Sequence, residues 1–182
     1  FKGIEEVPSQ MQIFIGNEKL KPYIIDEFRN TNLSVETLIM IDNSESMDDE
    51  FKKENITTFV EELTKNSSSE IFKVVAFGDS IETKCEFTDN KETVLESIKT
   101  ISYSDDSKNT FKNLYNQIDF LNNLNNSIYK RIILITDSKN EKFEEEEIAK
   151  INLQLEKTPY QIHVVNLKDE ENGEKIKKLE EI

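Results

Sequence analysis

The chain has one cysteine, one histidine, three prolines and four glycines in 182 residues, and several of these scarcities close off a class of function. Cys85 cannot form an internal disulfide, and with His163 as the sole imidazole there is no Cys/His cluster of zinc spacing. His163 also has no serine or cysteine nucleophile near it in sequence, so it reads as structural. A phosphate-cradling glycine loop is missing. No apolar run approaches the ~20 residues that span a bilayer, which argues against direct membrane insertion. No signal peptide is present, but the chain opens on Phe1 and not Met, so upstream residues are expected to have been removed. Positive charge is scarce as well. With 23 Lys+Arg against 37 Asp+Glu the net charge is −14, which opposes binding to nucleic acid or to an anionic membrane surface.

What is present is enough for one folded domain, because 11 Phe and 5 Tyr help to offset a charged fraction of 33%. The most informative stretch is Glu36 to Met47, ETLIMIDNSESM. Its unbroken apolar run Leu38-Ile39-Met40-Ile41 suits a strand buried on both faces, as in parallel sheets whose ligands sit beyond the carboxyl ends of the strands. Asp42, Ser44 and Ser46 follow at alternating positions. All three carry hard oxygen donors, which favour Mg²⁺, Mn²⁺ or Ca²⁺ over softer metals.

The rest of the chain alternates strands and helices. Asp48 to Lys65 places Ile56, Phe59, Val60 and Leu63 on one helical face. Ile71 to Phe77 is a second buried strand, Gly78-Asp79-Ser80 a tight turn, and Ile81 to Phe87 an antiparallel edge strand. Helices are predicted over Glu92 to Lys99, Thr110 to Leu124, Glu141 to Lys157 and Glu171 to Ile182. Arg131 to Asp137, RIILITD, repeats the opening theme of an apolar strand ending in aspartate, and Ile162 to Leu167 is a further strand. Together these elements predict an α/β fold with a doubly wound, mostly parallel sheet flanked by helices and one antiparallel edge strand.

Asp42-x-Ser44-x-Ser46 after a buried strand, Thr110 opening a later helix and Asp137 closing ILITD resemble the metal-ion-dependent adhesion site of von Willebrand factor A domains. The strand KVVAFGDS resembles one of that family too, and the likeness runs in order from Glu36 to Leu167. It implies Ser44, Ser46 and Thr110 as direct hydroxyl ligands of Mg²⁺ (or Mn²⁺ or Ca²⁺). Asp42 and Asp137 would bind mainly through water. The implied partner is a protein that presents Asp or Glu to the ion, whose charge neutral hydroxyls leave largely intact. The chain departs from the family where glycines usually precede the threonine, here Asp106-Ser107-Lys108-Asn109, and where Asp-Gly is usual, here Asp137-Ser138.

Each candidate has a plainer alternative. Ser46 and Thr110 are both plausible helix caps. Asp42 and Asp137 are harder to explain away, since aspartate is depleted in strands and both close strands on one edge. The acidic run Glu144 to Glu147 suits the first turn of a helix, Cys85 suits packing, and the sequons at Asn32, Asn55, Asn66 and Asn125 matter only in a glycosylating pathway. A Mg²⁺-dependent phosphohydrolase resembling the haloacid dehalogenases would place a second aspartate where Ser44 stands. The expectation is therefore a non-enzymatic binding module. Its alternative is an intracellular scaffold with a degenerate or empty metal site.

Two segments are expected: residues 1–34 as an N-terminal extension with a short strand at Met11 to Ile15, and 35–182 as the domain, lacking the family's last strand and helix. Pro8 and Pro22 bracket the strand, and the extension, with Tyr23 to Phe28 near the domain, would cover part of an exposed sheet edge. The resemblance points to bacterial extracytoplasmic or cell-surface members, with a cytoplasmic location as the alternative. Oligomeric state is not legible.

Overall fold

An apolar side chain at every position from Leu38 to Ile41 demands cover on both faces of the strand, and the fold supplies it. The computed structural model describes residues 14–15, 18–19, 35–65, 67, 70–104, 109–124, 129–137, 145–157 and 161–167. The chain divides into two units, Phe1–Asn32 and Leu33–Ile182. In the first, β1 (Phe14–Ile15) pairs antiparallel with β2 (Glu18–Lys19). The rest of the predicted strand from Met11, the segment Tyr23 to Phe28 and the predicted helix from Glu171 lie outside the described residues.

The second unit runs β3 (Val35–Asp42), α1 (Glu50–Lys65), β4 (Glu70–Phe77), β5 (Ile81–Thr88), α2 (Lys91–Lys99), α3 (Thr110–Asn123), β6 (Tyr129–Thr136), α4 (Glu145–Lys157) and β7 (Gln161–Asn166). Five strands form one sheet in the order β5-β4-β3-β6-β7, all parallel except β5, which pairs antiparallel with β4. The architecture is the mostly parallel α/β sheet with one antiparallel strand that the alternation of patterns predicts. Strand β3 lies in the middle, so its apolar run is enclosed by neighbours on both sides.

Alternation along the strands divides the core in two. Ile39, Ile41, Val74, Ala76, Ile133 and Ile135 face one way and meet Ile56 and Val60 of α1 and Val94 and Ile98 of α2. Leu38, Met40, Val75, Phe77, Ile132 and Leu134 face the other and meet Phe111, Leu114, Ile118 and Leu121 of α3 and Ile151 of α4. Each fully enclosed aliphatic or Phe side chain contributes on the order of 2 kcal/mol from burial. Cys85 belongs to the first of these clusters, whereas His163 is exposed on β7.

Helix α1 starts two residues later than its apolar pattern suggests. A 3₁₀ turn over Glu45–Met47 follows β3, and Asp49 then caps the helix, its carboxylate accepting from the Lys52 N–H at 3.0 Å. The turn keeps residues 44–47 out of the helix and at the carboxyl end of the sheet. Among the described residues no helix is long and apolar enough to cross a membrane.

Candidate metal centre at the carboxyl edge of the sheet

Strand β3 ends at Asp42, which is fully buried and anchored by two neutral donors. One of its oxygens accepts from the Ser44 N–H at 2.9 Å and the other from the Thr136 hydroxyl at 2.6 Å. The first bond folds the loop back over its own aspartate, an Asx-type turn typical of this residue. The second ties β3 to the end of β6. Neither donor neutralises the carboxylate, so Asp42 is oriented without an ion pair in these two bonds.

The tight loop carries Ser44, which is buried, and Ser46, which is half-buried, with their hydroxyls hydrogen-bonded to each other at 3.1 Å. That spacing is informative. Two oxygens on adjacent corners of an Mg²⁺ octahedron with bonds of about 2.1 Å are separated by roughly 3 Å. The pair as it stands fits neighbouring ligand positions of a small hard cation. A side-chain oxygen of Asn43 in the same loop is buried with no hydrogen-bond partner among the described residues, which adds unmet oxygen capacity to the turn.

The capping alternatives are not realised. Asp49 caps α1 in place of Ser46. Thr110 is the first residue of α3, and Asn109 occupies the cap position, its side chain donating to Asp79 at 3.2 Å. Thr110 is fully buried at the carboxyl edge of the sheet, because Asn109 N–H and the Asn113 side chain both bond the carbonyl of Gly78 just beyond β4, at 3.1 and 2.9 Å. The loop before it, residues 105–108, where the usual glycines are replaced, lies outside the described residues.

Asp137, one residue past β6, is also fully buried, and its Oδ2 is 3.0 Å from the Lys52 ammonium. Lys52 also donates to the Ser46 carbonyl at 2.8 Å, so it spans the serine turn and the end of β6. Named contacts therefore link Asp42, Ser44, Ser46, Thr136, Lys52 and Asp137 into one cluster, with Thr110 on the same edge. Sequence reasoning missed Thr136 and Lys52. A signal for Lys52 existed, since Ile56 and Val60 extended back by one helical step land on it. Among the described residues no group of three or more His, Cys, Asp or Glu that could hold a metal ion is found, and three of the five candidates, Ser44, Ser46 and Thr110, are hydroxyls outside that set.

Tyr103 flanks the cluster, half-buried and packed against the α1/α2 core. Burial first, then the charges of Asp42 and Asp48, push its phenol up to about 12. The Lys53 ammonium lies 5.3 Å from the centre of its ring, close enough for a cation–π contact. Around the rim, Glu45, Asp48 and Asp49 are exposed, and so is Phe51, at 71%.

The von Willebrand factor type A domain family model matches residues 37–182. No curated protein matches the sequence. Among solved structures, BatB from Bacteroides thetaiotaomicron is similar at 18% identity and a TM-score of 0.59, over 72% of this chain and 66% of that one. An aerotolerance-related membrane protein from Bacteroides fragilis is similar at 18% identity and a TM-score of 0.60, over 72% and 67%. Proximal thread matrix protein 1 of the mussel byssus, with a zinc-occupied adhesion motif, is similar at 18% identity and a TM-score of 0.55, over 75% and 38%. The chain thus spans about two thirds of the Bacteroides proteins and well under half of the mussel one. At these identities the likeness is one of fold.

Proposed function

We propose, on the premise that this chain belongs to the von Willebrand factor type A family, that it is a non-catalytic binding module whose sheet edge holds a divalent cation and, through it, an acidic group of a partner protein. The observation that carries this reading is the pair of serine hydroxyls 3.1 Å apart above a buried, oriented Asp42. Ser44, Ser46 and Thr110 would hold the ion through neutral oxygens, with Asp42 and Asp137 beside them. The ion, Mg²⁺ or else Mn²⁺ or Ca²⁺, supplies a positively charged coordination position that a partner's Asp or Glu can fill.

The chain's own residues prepare that position. Ser44 N–H and Thr136 hold Asp42 in one orientation, and the 3₁₀ turn presents both serines at the rim. Ser44 stands where a phosphohydrolase of the strand-end aspartate type has its second, proton-handling carboxylate, which supports the non-catalytic reading. A bacterial cell-surface or extracytoplasmic role is supported by the similarity to a Bacteroides membrane protein.

The test is an array of immobilised peptides carrying Asp or Glu, with Asn and Gln counterparts, probed with wild type and Asp42→Ala in Mg²⁺ and in EDTA. Retention on acidic peptides that needs Mg²⁺ and Asp42 supports the module. Equal retention by Asp42→Ala in EDTA would place the binding elsewhere and sink it.

A further inference from the structure

Hydrophobic patterning fails most sharply at the start of α1, where a charged residue is buried, and that place adjoins the candidate metal centre. Lys52, Ile56, Val60 and Thr64 form the buried row of the helix at steps of four. The first of them is a lysine only 8% exposed, while the neighbouring Phe51 is 71% exposed. Burial statistics and transfer energies both favour the opposite arrangement. A lysine stem commonly lies on apolar surface with its ammonium returned to water. Here the ammonium goes inward, to Asp137 Oδ2 at 3.0 Å and the Ser46 carbonyl at 2.8 Å. Both acceptors belong to the candidate centre, and neither belongs to the hydrophobic core that the rest of the row packs against.

We propose that Lys52 is a positioning and charge-setting residue of the cation site. It holds Asp137 and the Ser46 turn in register before a cation arrives, and it offsets the charge of Asp137. A cation bound there is held less tightly than it would be without Lys52, and more of its positive charge remains for an anionic group of the partner. The proposal rests on the cation-site reading above. It follows from the sign of the charges: an ammonium bonded to one oxygen of the site repels a divalent ion placed at its neighbours. Even at the dielectric of bulk water, about 80, a unit charge roughly 5 Å from a divalent ion alters affinity by about tenfold or more. A site that gives up metal affinity in this way gains in anion affinity once loaded, because the same positive charge attracts the ligand.

The full chain is titrated with Mn²⁺ alone, free Mn²⁺ being read by electron paramagnetic resonance, for wild type, K52M, K52Q, K52R and D42A, with thermal melts in EDTA and in Mn²⁺. K52M and K52Q are expected to bind Mn²⁺ about tenfold more tightly than wild type. Both melt lower than wild type in EDTA and recover more on adding Mn²⁺, while K52R stays close to wild type. Acetate, added as a simple carboxylate, tightens Mn²⁺ binding to wild type more than to K52M, as linkage requires. A purely structural lysine would lower the melt without raising the affinity. Wild-type binding that is unchanged or weakened in both folded neutral variants overturns the role of Lys52 and leaves the cation site standing. Binding by K52M where wild type has none means that the ammonium substitutes for the ion, which overturns both. Absence of binding in every variant overturns the cation site itself.

Discussion

The central strands carry buried polar groups at both ends, and the two ends are finished differently. At the amino edge Arg131 closes on a carboxylate: its Nη2 pairs with Glu70 and its Nε donates to Thr37 at 2.8 Å. Lys130 beside it donates to the carbonyls of Leu121 and Leu124 at 2.6 and 2.8 Å, tying down the end of α3. At the carboxyl edge Asp42 is held by an amide and a hydroxyl, two serine hydroxyls face each other, and a lysine reaches in from α1. A guanidinium paired with a carboxylate whose oxygens also accept from the Thr37 and Ser67 hydroxyls builds a joint. Asp42, which its two printed bonds orient through neutral donors and which hydroxyls border, offers oxygen lone pairs of the kind a hard cation takes, and Lys52 offsets only the charge of its neighbour Asp137. The difference separates a structural edge from the candidate binding edge in one sheet.

The comparison breaks most visibly at the amino edge. Arg131→Met leaves the nearly buried Glu70 without its guanidinium, and urea denaturation is expected to show a loss of about 3 kcal/mol, as for other buried pairs that lose one partner. Its Mg²⁺ response should match wild type. Asp42→Ala gives the opposite profile: a smaller loss, about 1–2 kcal/mol from the Ser44 and Thr136 bonds, and a thermal melt that no longer responds to Mg²⁺.

Tyr103 sharpens the comparison through pH. Its phenol is raised from an ordinary 10.0 to about 12 by burial and by the nearby carboxylates, so the folded state favours the protonated ring. That contribution is fully present below pH 10 and is lost as pH rises towards 12. Tyr103→Phe removes it, so the stability difference between wild type and variant should shrink over this window, with one phenolate fewer appearing late in the absorbance titration. The smallest effect belongs to Phe51→Ser. At 71% exposure the ring leaves little to lose, and the stability change should stay within about 0.5 kcal/mol.

Much of this was legible in the residues because it rests on periodicity. Unbroken apolar runs such as LIMI and IILI indicate strands covered on both faces, and Asp42 and Asp137 mark their carboxyl ends because aspartate is rare within strands. The start of α1 was misplaced because Ser46 and Asp49 are both good caps, and only the 3₁₀ turn decides between them. Lys52 lies on the buried row that Ile56 and Val60 mark, yet its inward turn is not legible locally. Patterning assigns lysine to solvent, and it was an aspartate 85 positions away that drew this one inside. Thr136 likewise has meaning only beside Asp42, 94 positions earlier. Contacts across the sheet edge carry the site's electrostatics, and no local window contains them.

The most direct test of the binding edge is a calorimetric titration of Mg²⁺ into the full chain, run in parallel on Asp42→Ala. Saturable binding to wild type that disappears in the variant, while Arg131→Met retains it, is the predicted result. No heat of binding with wild type, or an isotherm that Asp42→Ala leaves unchanged, would contradict the account.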